Sequence, residues 1–188
     1  MNQPIPTFSK EVRECVVRIR ESGAAALGGL YDLTAVRLVR FSYTICQNQH
    51  DAEDAVSATL LKVSTDHEII LKTANPWAYL LQMVRNESLL ILRKKKRWTL
   101  TGGLFDFLFT SPDHGLERQE SNDQVIAALR ELPKEQAEVV VLKIWENLTF
   151  LEIGSVLNIP PQTAASRYRY ALSKLATLLG HQILEVHQ

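Results

Sequence analysis

Apolar residues recur at helical spacing through nearly the whole chain, and no strand-like alternation extends over a useful length. Leu30, Leu33, Leu38, Phe41 and Ile45 fall close to one face of a helix. A second stripe begins after Asp51, with Ala52, Ala55, Val56, Leu60 and Val63 in steps of three and four. Asp51, Glu53 and Asp54 place negative charge in its first turn, where the helix dipole favours it. Asp54, Ser57 and Leu61 occupy the opposite face. Residues 64–75 read as a loop or broken segment. Asn75-Pro76 then opens a helix, with Asn as the cap and Pro at the first helical position. Trp77, Leu80, Leu81, Val84 and Ile91 make its core stripe, while Tyr79, Gln82, Arg85, Asn86 and Arg93 point elsewhere. It closes on Arg93-Lys94-Lys95-Lys96-Arg97. Cations suit a helix C-terminus, but this run exceeds what a cap needs and points to a polyanion.

Gly102-Gly103, Ser111-Pro112 and Gly115 punctuate residues 99–123, which read as a linker. Its apolar run from Leu104 to Phe109 is expected to pack against one of the domains. A second domain opens with Val125, Ile126, Leu129 and Leu132; Pro133 stops that helix and starts the next, which carries Val139, Val140, Leu142 and Ile144. Thr149-Phe150-Leu151-Glu152 matches a capping box. The short helix behind it carries Phe150, Ile153 and Leu157 and ends at Asn158. A longer helix follows from about Pro161 to Leu179. A short capped helix, a tight turn and a longer helix make a helix-turn-helix, although a plain helical hairpin has the same pattern. No acidic residue occurs from Gln162 to Leu179, whereas Arg167, Arg169 and Lys174 are basic. Gln162, Thr163, Ser166 and Arg167 can donate to bases or phosphates. Tyr168, Leu172, Leu175 and Leu179 are expected to hold the helix on its domain.

A length of 188 residues suits one ordinary domain or two small ones, and 46% hydrophobic with 22% charged residues is normal for a soluble globular protein. Lys plus Arg equal Asp plus Glu at 21 each, so any polyanion site must be a local patch. Cys15 and Cys46 suggest neither a disulfide framework nor a zinc site, and both read as small buried residues. The N-terminus lacks the basic start and apolar run of a signal peptide, and no stretch approaches the ~20 apolar residues of a membrane span. A cytoplasmic protein without membrane insertion is expected. The histidines are scattered, with no H-E-x-x-H and no phosphate-binding Gly-rich loop. No enzyme, metal site, catalytic residue or cofactor is expected.

Taken in order, these segments resemble the extracytoplasmic-function sigma factors, small two-domain members of the sigma-70 family. Asp51-Ala52-Glu53-Asp54-Ala55-Val56 and Leu61-Lys62-Val63 resemble the polymerase-facing helix of its second region. Asn75-Pro76, Tyr79-Leu80, Arg85-Asn86 and Arg93 are similar to the helix that reads the promoter −10 element. Leu132-Pro133, Glu138 to Leu142, Leu148-Thr149, Glu152-Ile153-Gly154, Ile159-Pro160, Thr163 and Ser166-Arg167 resemble the −35-binding domain.

The resemblance implies an all-α protein of two small helical domains joined by a linker. A tail or first helix spans 1–23, a region 2 helical bundle 24–98, the linker 99–123, and a region 4 helix-turn-helix domain 124–182. It further implies that Asp51, Glu53, Asp54, Ser57 and Leu61 grip the clamp helices of the largest subunit of core RNA polymerase. Tyr79, Gln82, Arg85, Asn86, Arg93, Lys94 and Lys95, with the loop before Asn75, would open −10 DNA and capture flipped bases. Gln162, Thr163, Ser166, Arg167 and Arg169 would face the −35 major groove of promoter DNA. An anti-sigma factor is a further partner of this kind of protein, although no residue here identifies one.

Several positions depart from the family pattern. Ser57 and Ala58 replace a usual Gln and Glu, Ser64 a Trp, Leu90 an Asp, and Ala165 a frequent Lys or Arg. Two other readings stay open at this point. One is a sigma-like interaction protein with weakened polymerase binding. The other is a stand-alone helix-turn-helix repressor, which usually works as a symmetric dimer.

Overall fold

A computed structural model describes residues 7–100 and 127–185. They belong to two compact units, Met1–Asp113 and His114–Gln188. Every regular element among the described residues is helical. The first two residues of the expected linker, 99 and 100, belong to the helix that ends at Leu100; the rest of it, with its Leu104–Phe109 run, lies outside the described residues, as do Val125, Ile126 and the side chain of Leu179.

The first unit contains α1 (Thr7–Ser22), a 3-10 turn (Gly23–Ala26), α2 (Leu27–Cys46), α3 (Gln49–Thr65), α4 (His67–Lys72) and α5 (Pro76–Leu100). Val12, Val16 and Ile19 give α1 a buried stripe in steps of four and three, so this helix belongs to the bundle. Gln47 closes α2 in the left-handed conformation. Asn48 then caps α3, its side chain accepting from Asp51 N at 3.0 Å. The core forms where α2, α3 and α5 meet, around Leu38, Phe41, Ala52, Ala55, Val56, Leu80, Leu81 and Val84. Each large apolar side chain buried there contributes roughly 1.5–3 kcal/mol. Leu33 and Ile91, expected in the stripes, are half-buried at its margin.

The core also encloses hydroxyls, among them those of Ser42 and Ser88. Ser42 Oγ and Ser88 Oγ lie 2.7 Å apart, and Ser88 Oγ donates to Val84 O at 2.8 Å. Residues 64–75, expected as a broken segment, include the six-residue α4, anchored by buried Ile70. Cys15 and Cys46 are both buried free thiols, and burial raises the pKa of Cys15.

The second unit has a turn of helix at 127–130, then α6 (Lys134–Ile144), α7 (Phe150–Leu157) and α8 (Pro161–Glu185). Pro133 caps the start of α6 with φ of −52°, the value its ring imposes, and ψ of 138°, which is not helical. Leu132, Ala137, Val140 and Ala171 form a buried cluster, with Leu129, Trp145, Tyr168 and Leu175 packed against it. Leu148, Ile153, Val156, Leu157 and Ala164 extend this core. Tyr168 and Leu175 therefore hold α8 as expected, but Leu172 does not: it is 40% exposed. At about 100° per residue, position 172 turns away from the stripe that runs through Ala164, Ala171 and Leu175.

Candidate nucleic-acid interface

The α7–turn–α8 motif is fixed by local bonds at each end. Thr149 and Glu152 form a complete capping box: Thr149 N donates to Glu152 Oε2 at 2.8 Å, and Glu152 N to Thr149 Oγ1 at 3.2 Å. Such a cap contributes about 1 kcal/mol. Asn158 ends α7 with φ of 56°, a left-handed position that Asn tolerates. Ile159 N then donates back to Gly154 O at 2.9 Å. Pro160 O accepts from Thr163 N and Ala164 N at 2.9 and 3.1 Å, which starts α8. Gly154 is required by this turn, because a Cβ there would meet Ile159 O at 2.7 Å. Phe150 of α7 packs on Tyr168 of α8 with ring centroids 5.7 Å apart.

That packing leaves one face of α8 open. Gln162 and Arg169 are exposed, and Thr163, Ser166 and Arg167 half-buried. Gln162, Thr163 and Ser166 lie within about 100° around the helix, and Arg167 and Arg169 flank them on either side. Ser166 Oγ donates to Thr163 O at 3.0 Å, which leaves its oxygen free to accept. Tyr170, overlooked in the sequence, stands 69% exposed in the middle of this face. The signal for it was its spacing, three residues from Arg167 and four from Ser166.

On α5 the seven candidate residues divide. Tyr79, Gln82 and Arg85 are half-buried near its start, whereas Asn86, Arg93 and Lys94 are exposed. Leu90 adds an exposed apolar side chain one turn beyond Asn86. Lys95 is engaged within the unit: its Nζ pairs with Asp51 Oδ2 at 2.7 Å. Asp51 is correspondingly buried at 7% exposure, so it stands behind the α3 surface. The remaining α3 candidates are open to solvent. Glu53 accepts from Gln49 Nε2 at 2.6 Å; Asp54 and Ser57 are exposed; Leu61 is an apolar side chain 64% exposed. Lys62 and the buried Glu87 form a further ion pair between α3 and α5.

No group of three His, Cys, Asp or Glu able to hold a metal ion occurs among the described residues. No described helix is long and apolar enough to cross a membrane.

Residues 30–98 match the family model of Sigma-70 region 2, and residues 122–175 match that of Sigma-70, region 4. The chain is 29% identical over 174 residues to the ECF RNA polymerase sigma factor SigL of Mycobacterium tuberculosis, covering 85% of this chain and 95% of that protein. It is 23% identical over 170 residues to SigW of Bacillus subtilis, covering 83% and 90%. Its fold is similar to the sigma factor RpoE in complex with the anti-sigma factor NepR from Bartonella quintana. That match has a TM-score of 0.69 at 21% identity, over 80% of this chain and 94% of the other. CnrH, solved in complex with the cytosolic domain of CnrY, gives a TM-score of 0.61 at 19% identity, over 91% and 98%.

A helical bundle ending in a basic helix, together with a helix-turn-helix unit, defines a bacterial DNA-binding transcription protein. The chain belongs to the sigma-70 family, within its extracytoplasmic-function group of RNA polymerase sigma factors. Its work is accordingly promoter-directed transcription initiation with core RNA polymerase.

Proposed function

We propose that this sigma factor divides its work among three surfaces. The outer edge of α3 (Glu53, Asp54, Ser57 and Leu61) docks on the clamp helices of the polymerase largest subunit. Asp51 contributes behind that edge by holding Lys95. The face of α5 with Tyr79, Gln82, Arg85, Asn86, Arg93 and Lys94, together with residues 66–75, opens the −10 element and captures unpaired bases. Gln162, Thr163, Ser166 and Tyr170 enter the −35 major groove, while Arg167 and Arg169 hold the phosphates on either side. The observation that carries this reading is the open face of α8, with no acidic residue from Gln162 to Leu179, set behind an α7 fixed by a complete capping box and a close-packed turn.

The protein acts in the cytoplasm, without a catalytic site of its own. The two solved relatives are each bound to a partner protein, an anti-sigma factor in one case. An anti-sigma factor is proposed here as the partner that holds the protein inactive.

The test is run-off transcription on fragmented DNA of the source genome with purified bacterial core polymerase, with and without the protein. Discrete new start sites sharing a −35/−10 pair are expected. An absence of transcripts together with no co-elution with core polymerase refutes the proposal.

A further inference from the structure

The segment joining α3 to α5 is held largely from outside itself. α4 has six residues, too few for a helix to persist on its own, and Ile70 is its one buried residue. What fixes its far end is α1. The Arg13 guanidinium donates from Nη1 to Leu71 O at 2.6 Å and from Nη2 to Thr73 O at 2.6 Å, with Ala74 O at 3.5 Å. These carbonyls lie at and just beyond the last turn of α4. A helix leaves such acceptors without internal donors, and a cation there is favoured by the dipole. The planar fork of arginine can serve two carbonyls at once, which an ammonium cannot do in the same fixed geometry.

The same face of α1 also holds the next stretch of chain. Ser9, one helical turn before Arg13, is fully buried. Its Oγ donates to Asn75 Oδ1 at 2.6 Å and accepts from Trp77 N at 3.3 Å. Asn75 Oδ1 also accepts from Ala78 N at 3.1 Å, capping α5. Phe8 meets Trp77 edge to face at 4.8 Å. Residues 8, 9 and 13 thus grip the chain at 71, 73, 75 and 77.

We infer that α1 is a brace that sets the −10-opening segment, with Arg13 as its positioning residue. The inference rests on the proposed role of residues 66–75. Arg13 itself need not touch DNA. Without its fork, the end of α4 keeps only the bonds of Thr73 to Ile70 O and loses those that tie it to α1, and the segment spends only part of its time in the arrangement that accepts a base. Apparent binding then falls by that fraction.

The test uses holoenzyme made from the full chain and core polymerase, on the promoter that the genomic run-off defines. Open-complex formation is read by permanganate reactivity of −10 thymines, on the native promoter and on one with a single −10 base replaced. The ratio of the two is the discrimination. Arg13→Ala is expected to lower this ratio at least about tenfold, the scale of a single lost charge-assisted bond, with core affinity unchanged. Arg13→Lys keeps the charge but loses the fork, and it is expected to behave as Arg13→Ala does. Discrimination kept by Arg13→Ala overturns the brace. So does equal loss on both promoters, since a merely structural arginine would lower both alike and leave the ratio intact. Alanine at Glu68, Ile69 and Lys72 together separates the two layers of the argument. If that variant keeps full discrimination, the proposed role of the segment fails. If it loses discrimination while Arg13→Ala keeps it, the brace alone fails.

Discussion

Replacing Gly154 by Ala tests whether the helix-turn-helix depends on a close backbone approach. The added Cβ would lie 2.7 Å from Ile159 O and 3.4 Å from Pro161 N. A carbon and a carbonyl oxygen normally rest about 3.3–3.6 Å apart, so the turn must retreat by roughly half an ångström or more. It cannot simply swing away, because Ile159 N is bonded to Gly154 O at 2.9 Å. Overpacking of this kind costs about 1–3 kcal/mol. Alanine in a helix interior returns up to about 1 kcal/mol over glycine. The obstacle is backbone on both sides, so the net expectation is a loss of about 1–2 kcal/mol. Hydrogen exchange resolved by peptide reads this directly: slow amides of α7 and α8 should exchange roughly tenfold faster, since 1.4 kcal/mol is about a factor of ten. The amides of α2 and α5, in the other unit, serve as the internal control. Slower exchange, or a change within twofold, would show that helix propensity outweighs the contact, and the steric argument would be wrong.

Three further substitutions and one chemical treatment probe other parts of the protein. Lys94→Ala should lower the salt slope of promoter binding by about 1, whereas Lys95→Ala should lower it by less than half as much, because Lys95 already pairs with Asp51. Equal slopes for the two variants would contradict that assignment. Leu61→Asp should weaken competition for core polymerase at least tenfold while shifting stability by no more than about 0.5 kcal/mol, as an exposed position allows. Cys15 should react far more slowly with iodoacetamide at pH 8 in the native protein than in urea, read by mass spectrometry. Burial, helped by Glu14 and Glu11 against Arg18, holds its pKa above the usual thiol range. Because the folded pKa is raised, its contribution to stability is complete below the unfolded pKa and is lost as pH rises through the folded one.

Signals written in neighbouring residues were legible in the sequence. Asn75-Pro76, the Thr149–Glu152 box and Asn158 each combine a backbone need with a side chain that meets it. Signals that depend on distant residues were not. Ile69-Ile70-Leu71 has no period to read, and the donor that ends α4 is Arg13, 58 residues before the carbonyl of Leu71. Asp51 in a first turn suits both a helix dipole and an outward-facing contact; Lys95, 44 residues later, draws it inward. Leu172 looks like core by its chemistry, yet the contact falls to Ala171, whose small side chain meets Ala137 and Val140. The exposed face of α8 was legible except for Tyr170, since a tyrosine in a helix reads as packing until its register against Arg167 is followed.

The buried hydroxyls of Ser42 and Ser88 bear on where the work of melting is done. Ser88 gives its proton to Val84 O, so its oxygen can only accept, and Ser42 must be the donor between them. A slide of α5 along α2 by even one residue would break the Ser42–Ser88 bond in a dry interior, at roughly 1 kcal/mol, and leave each serine only the partner on its own helix, Cys46 or Val84. On the proposed reading of α5, the basic helix then meets the promoter as a ruler of fixed graduation. Distortion falls on the duplex, and among promoters with equal contacts the strongest should be those whose −10 base steps unstack most readily.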